Sequence, residues 1–202
     1  AAHVGNCVSC HVAPNFTDFG MRNTGASQEE YDAIHGDGAF IGVVIPDYTE
    51  REANRDAYLP ATPAHPNGTG RFRSPAVASD ATLTDLGLWN VYANTDFPEP
   101  QERIRSLLCA PADSCDPEQI LPSTIGRFKT PTLRDLAHSQ PYMHTGRMDT
   151  IEKVLDFYRH TSLLAQAGKL RNADPEIARI SINDADAVAI AAFLRSLNED
   201  YD

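Results

Sequence analysis

No run of apolar residues in this 202-residue chain is long enough to cross a bilayer, although 42% of its residues are hydrophobic. Basic residues are few: 17 Lys and Arg stand against 28 Asp and Glu, a formal charge of −11. That imbalance argues against nucleic acid or anionic lipid as a partner. Cysteine is also sparse, at four. A zinc site needs a second Cys or Cys/His pair at matching spacing, and Cys109 and Cys115 are six apart. A thioredoxin-type redox pair needs a βαβ setting, which the pattern does not offer. Neither an internal repeat nor a convincing strand pattern is visible, so the class is mainly α. A signal peptide is not visible either.

What remains is Cys7-Val8-Ser9-Cys10-His11, which reads C-x-x-C-H, the attachment pattern for c-type haem. Two cysteines three apart share one face of a helical turn, so both sulfurs can form thioethers with the vinyl groups of one porphyrin. His11 then presents an imidazole nitrogen to the iron as proximal ligand. Such attachment happens outside the cytoplasm, so the expectation is a mature chain whose leader has been removed, periplasmic or extracellular. The stretch Cys109-Ala-Pro-Ala-Asp-Ser-Cys115 is a short turn-rich loop that a disulfide could close, consistent with an oxidising compartment. The acidic balance is compatible with docking a cationic redox protein as electron donor or acceptor.

Along the chain, Ala13 to Phe19 reads as a loop, broken by Pro14 and Asn15. Ser27-Gln-Glu-Glu30 has the form of a capping box opening a helix through Ile34. Residues 36–100 are rich in Gly, Pro, Asn and Asp and read as a long ordered irregular stretch with one helical turn near Leu86–Asn90; Trp89 is expected to be its packing anchor. A helix is expected from Pro100 to Leu108, with Pro in its first turn. Thr130–Leu136 is expected to begin another, and Pro141–Gly146 to be a turn. Thr150 caps a helix on which Ile151, Val154, Leu155 and Tyr158 follow the i, i+3, i+4, i+7 rule. Asn183 caps the last helix, with Asp184 and Asp186 at its positive end and Ile190, Phe193, Leu194 and Leu197 as the inner stripe.

An electron-transfer haem needs a second axial ligand, whereas an open site suits ligand binding or peroxide chemistry. Met21, Met143, Met148, the histidines and Tyr158 are the candidates. Methionine is the common choice in cytochromes c, yet only Tyr158 lies on a clearly periodic buried face, where a core tyrosine is the simpler explanation. His144, in the turn after Pro-Tyr-Met, reads as a hydrogen-bonding group beside the haem.

Phe128-Lys-Thr-Pro-Thr-Leu-Arg-Asp135, then Pro141-Tyr-Met-His-Thr-Gly146 and Thr150-Ile-Glu-Lys-Val-Leu-Asp-Phe-Tyr158, resemble the C-terminal haem domain of bacterial di-haem cytochrome c peroxidases and of the related MauG. The likeness extends to Asn15-Phe-Thr-Asp18 and Asn23-Thr-Gly25, and omits the 36–100 stretch. It implies a single cytochrome c-like haem domain over residues 1–202, holding one covalent haem c, with an insertion at about 36–120. In that family a methionine, or in the MauG branch a tyrosine, is the distal ligand fourteen residues after the turn histidine. Counting from His144 reaches Tyr158. A phenolate ligand lowers the iron potential relative to methionine. The resemblance also implies a calcium ion on the backbone oxygens of Ser139 and Pro141, its Asn ligand coming from an N-terminal domain.

Three departures stand out. The family's N-terminal domain has its own C-x-x-C-H and the peroxide-reactive haem, whereas this chain has one such motif. It also reads Met21-Arg22-Asn23 where many relatives have Phe-His-Asn, and only six residues precede Cys7, where cytochrome c domains carry a longer helix. The resemblance therefore implies half of an oxidoreductase, relaying electrons to or from a haem on a missing domain or a partner chain. The alternatives are a free-standing mono-haem electron carrier in a multi-haem assembly and a mono-haem enzyme with an open distal face.

Overall fold

The computed structural model describes residues 5–109 and 115–198. Two compact units make up the chain: Gly25–Phe128, and Ala1–Thr24 with Lys129–Asp202. The architecture is mainly helical, with one small sheet formed by two strands of two residues, β1 (Met21–Arg22) and β2 (Phe128–Lys129). Strands that short leave no alternation for a sequence to show.

The Gly25–Phe128 unit opens with α1 (Ala26–His35). Its N-cap is Gly25 in the left-handed region, φ 91°, and not the expected Ser27 box. Ser27 lies inside the helix, where its hydroxyl donates to the Asp85 carbonyl at 2.5 Å. The stretch that follows is more helical than its composition suggests. It holds a 3₁₀ turn (Ala39–Gly42), α2 (Tyr48–Ala53), capped by Asp47, and α3 (Arg55–Tyr58). Each is too short to establish a helical period. The turn expected near Trp89 is a 3₁₀ turn at Leu88–Asn90. Helix α4 (Gln101–Leu108) has Pro100 as N-cap, and α5 (Pro117–Ile120) follows, capped by Asp116. Between them Cys109 and Cys115 form a disulfide with a Cα separation of 5.8 Å. The interior of that expected turn-rich loop lies outside the described residues.

Trp89 anchors this unit as expected. It is fully buried, edge-on to Phe72 at 5.2 Å between ring centroids. Its other neighbour is Arg51, which is 0% exposed despite its charge. The Arg51 guanidinium lies 5.2 Å from the Trp89 ring centroid and 5.3 Å from that of Tyr48. It donates to the carbonyls of Trp89 at 2.6 Å and Tyr92 at 3.0 Å, and pairs with Glu52 at 2.9 Å. A buried cation with this many partners supplies the order that a Gly/Pro-rich segment lacks on its own.

In the other unit, residues 130–135 are not helical. Thr132 turns its hydroxyl to accept from the Arg134 amide at 3.1 Å, which competes with helix formation, and only Leu136–His138 makes a 3₁₀ turn. The expected turn at Pro141–Gly146 is present, closed by the Tyr142–Met148 bridge. Helix α6 (Ile151–Gln166) is capped by the Thr150 side chain, which accepts from the Lys153 amide. It ends at Gly168, φ 66°, with Lys169 N–H donating to the Leu164 carbonyl at 2.8 Å in a Schellman arrangement. Helix α7 (Asp184–Arg195) starts with a full capping box between Asn183 and Asp186. Ile151 and Leu155 of α6 meet Ala191 and Leu194 of α7, with Tyr142, in one buried cluster. Phe193, expected in that stripe, is 49% exposed; the inner stripe runs through Ala187, Ile190, Ala191 and Leu194. Among the described residues no helix is long and apolar enough to cross a membrane.

Candidate functional site

Cys7–Ser9 forms a 3₁₀ turn, and the His11 amide donates to the Cys7 carbonyl at 2.8 Å. This bond keeps the two cysteines and the histidine on one tight turn. Asn6, at φ 46°, starts it: its amide donates to the Glu176 carbonyl at 3.0 Å and the Glu176 carboxylate at 2.9 Å. That hydrogen bond holds the Glu176 carboxyl below the usual carboxylate range. Cys7 and Cys10 are free thiols. Burial raises both, Cys10 to about 11, where Arg22 pulls down and Asp174, Asp18 and Glu176 push up. Both are therefore protonated at neutral pH.

The His11 Nδ1 lies 2.9 Å from the Phe16 carbonyl oxygen. The tautomer that donates from Nδ1 to this carbonyl keeps its lone pair on Nε2, and the Pro131 backbone is a second hydrogen-bond partner of the ring. Burial lowers the His11 pKa, which favours this neutral form. A metal-ligating histidine requires this state, its second nitrogen donating to a carbonyl.

Tyr158 sits on α6, half-buried against Leu170, Ile177, Ile180 and Ile182. Burial holds its phenol well above the ordinary range, and charge on Cys7 and Cys10 adds to the rise. The phenol is thus within electrostatic reach of both motif sulfurs. Of the methionines, Met148 packs against the Tyr142 cluster, Met21 belongs to β1, and Met143 sits in the turn at φ 68°. His144 is exposed in the same turn, as are Ser139 and Pro141. Among the described residues no group of three or more His, Cys, Asp or Glu side chains could hold a metal ion.

Two arginines of the site escape sequence reasoning. Arg22 bridges Asp18 at 2.6 Å and Asp174 at 3.1 Å, beside Cys10. Arg134 donates from Nε and Nη2 to the Pro14 carbonyl at 2.9 and 2.7 Å. The sequence marks Arg22 only through the Met21-Arg22-Asn23 departure noted above. Nothing in the sequence pairs Arg134 with Pro14, 120 residues away.

No family model matches the chain. Over part of its length, however, it is similar to proteins of two kinds, cytochrome-c peroxidases and the methylamine utilization protein MauG. It is 37% identical over 76 residues to cytochrome-c peroxidase IdrP2 of Pseudomonas sp. (strain SCT), covering 38% of this chain and 18% of that protein. It is 32% identical over 77 residues to IdrP2 of Denitromonas iodatirespirans, again 38% and 18%. The methylamine utilization protein MauG of Paracoccus denitrificans is 29% identical over 94 residues, 39% of this chain and 24% of that protein. The chain therefore spans about a fifth of the length of the curated relatives it matches.

Proposed function

We propose that the chain carries one covalent c-type haem, joined through Cys7 and Cys10, with His11 as proximal and Tyr158 as distal ligand. In this reading it is the electron-transfer domain of a cytochrome-c peroxidase- or MauG-like oxidoreductase, working with a second, peroxide-reactive haem on another domain or chain. The observation that carries the reading is the turn that holds Cys7, Cys10 and His11 together, closed by the His11 amide on the Cys7 carbonyl at 2.8 Å, with the His11 Nδ1 2.9 Å from the Phe16 carbonyl oxygen. The partial likeness to the cytochrome-c peroxidases and MauG supports it.

When bound, the haem supplies one-electron exchange. The chain's own residues do the rest. Phe16 accepts the Nδ1 proton and makes His11 a stronger donor. Tyr158 keeps its proton at neutral pH in the protein alone, so a phenolate ligand requires the compensating charge of ferric iron. The Cys109–Cys115 disulfide favours an exported location. The carbonyls of Ser139 and Pro141 are proposed calcium ligands, to be tested by calcium-binding calorimetry of the chain with its partner domain.

The test is the full chain isolated from a haem-loading periplasm. Intact mass should show one haem, and the near-infrared band of methionine-ligated iron should be absent. Tyr158→Phe should change the spin state; an unchanged spectrum refutes tyrosine ligation, and a chain without haem refutes the whole reading. Silence toward peroxide, with a second haem chain co-purifying, supports the relay role. A spectral response of the chain alone points to the mono-haem enzyme.

A further inference from the structure

We propose that Arg134 is a positioning residue for His11, acting through the loop that supplies the Phe16 carbonyl. This rests on the reading that His11 holds a haem iron. Phe16 adopts φ 51°, a left-handed conformation unfavourable for a bulky side chain, so its carbonyl points at His11 only while the loop is held. Three contacts hold it, one on each consecutive residue. Arg134 forks two N–H groups onto the Pro14 carbonyl. The Thr132 hydroxyl donates to the Asn15 carbonyl at 2.7 Å. The Arg134 guanidinium lies 5.3 Å from the centre of the Phe16 ring, which also meets Phe193 edge-on at 5.9 Å.

Arg134 spends its charge on a neutral carbonyl and a ring. Such contacts at an exposed site add little to stability, but they decide where the next carbonyl points. The direction of the Phe16 carbonyl sets how strongly it accepts the Nδ1 proton, and hence how good a donor Nε2 is. A stronger donor favours ferric iron and lowers the potential.

Arg134→Ala and Arg134→Lys in the haem-loaded full chain test this, with haem content by intact mass, the iron–histidine stretching band of the ferrous form, and the midpoint potential. Arg134→Ala should lower the stretching frequency and raise the potential at unchanged haem content. Arg134→Lys, which keeps the cation but one donor in place of the fork, should shift both in the same direction by less. If Arg134→Ala does not accumulate, the lysine variant decides. Haem-loaded variants with the wild-type band and potential would overturn the positioning role while leaving the haem reading intact. A wild-type chain that binds no haem would sink both.

Discussion

Removing the Arg51 guanidinium should be among the most damaging single changes in the Gly25–Phe128 unit. Arg51→Met keeps the aliphatic stem and deletes two hydrogen bonds to the carbonyls of Trp89 and Tyr92, the pairing with Glu52, and contacts with the Trp89 and Tyr48 rings. Losing the donor for each buried carbonyl costs about 1–3 kcal/mol. Each ring contact adds about 0.5–2 kcal/mol. Against this, the variant no longer buries a charge, which returns several kcal/mol on the order of the penalty for a desolvated ion. That penalty is visible in the structure, where burial depresses the Arg51 pKa despite Glu52 beside it. Breaking a buried charged network by removing one member typically costs about 3–5 kcal/mol, and the retained stem trims this to roughly 2–4 kcal/mol. Urea unfolding followed by the fluorescence of Trp89, the single tryptophan, reads the effect at the contact itself. Arg51→Lys should lose less, because it keeps a cation without the planar fork. A midpoint for Arg51→Met within error of the wild type would show that the desolvation cost cancels the contacts, refuting Arg51 as an anchor.

Gly87→Ala should cost about 2 kcal/mol or more of stability, read as a lowered urea midpoint, because φ is 58° and a Cβ would sit 2.4 Å from the Arg127 carbonyl oxygen; wild-type stability would contradict the geometry. Cys109→Ser with Cys115→Ser opens a short loop and should cost about 2 kcal/mol, read as a midpoint shift that reductant reproduces in the wild type. Asp96 is desolvated, which alone raises its pKa, but hydrogen bonds from Thr62, His65 and Arg55 outweigh this and hold it below 3.8. A depressed folded pKa stabilises at pH above 3.8 and is lost as pH falls through the folded value, so Asp96→Asn should flatten the acid limb of thermal stability; an unchanged limb would remove Asp96 from it.

What was legible in the sequence was local. The tight turn of Cys7 to His11 and the caps Thr150 and Asn183 act on neighbours within a turn, so residue type and spacing reveal them. Helical period placed Tyr158 on the inner face of its helix, where it packs against Leu170, Ile177, Ile180 and Ile182. The Ser27 box failed because a tertiary acceptor, the Asp85 carbonyl, claimed its hydroxyl. Phe193 failed because the buried stripe of α7 is narrow and turns past it toward Ala191. Arg51, Arg22 and Arg134 were illegible for a different reason. An arginine reads as surface until the fold supplies its acceptors, and apart from Glu52 next to Arg51 and Asp18 four residues before Arg22, those lie 38 or more residues away.

The way the motif segment is held has a consequence for how it tolerates change. Its 3₁₀ turn has no buried residue of its own, so packing does not place it. Polar ties to distant backbone and carboxylates do: Asn6 to Glu176, Arg22 to Asp174, Asn23 to the Arg171 carbonyl, Thr17 to the Thr130 carbonyl, Thr132 to Asn15 and Arg134 to Pro14. Each is worth only about 1 kcal/mol net, but each fixes a direction as well as a distance. A site held by packing loses stability before geometry when it is cut. A site held by directional ties loses geometry first, so single changes among these six should disturb the His11–Phe16 bond and the cysteine environment well before they unfold the unit.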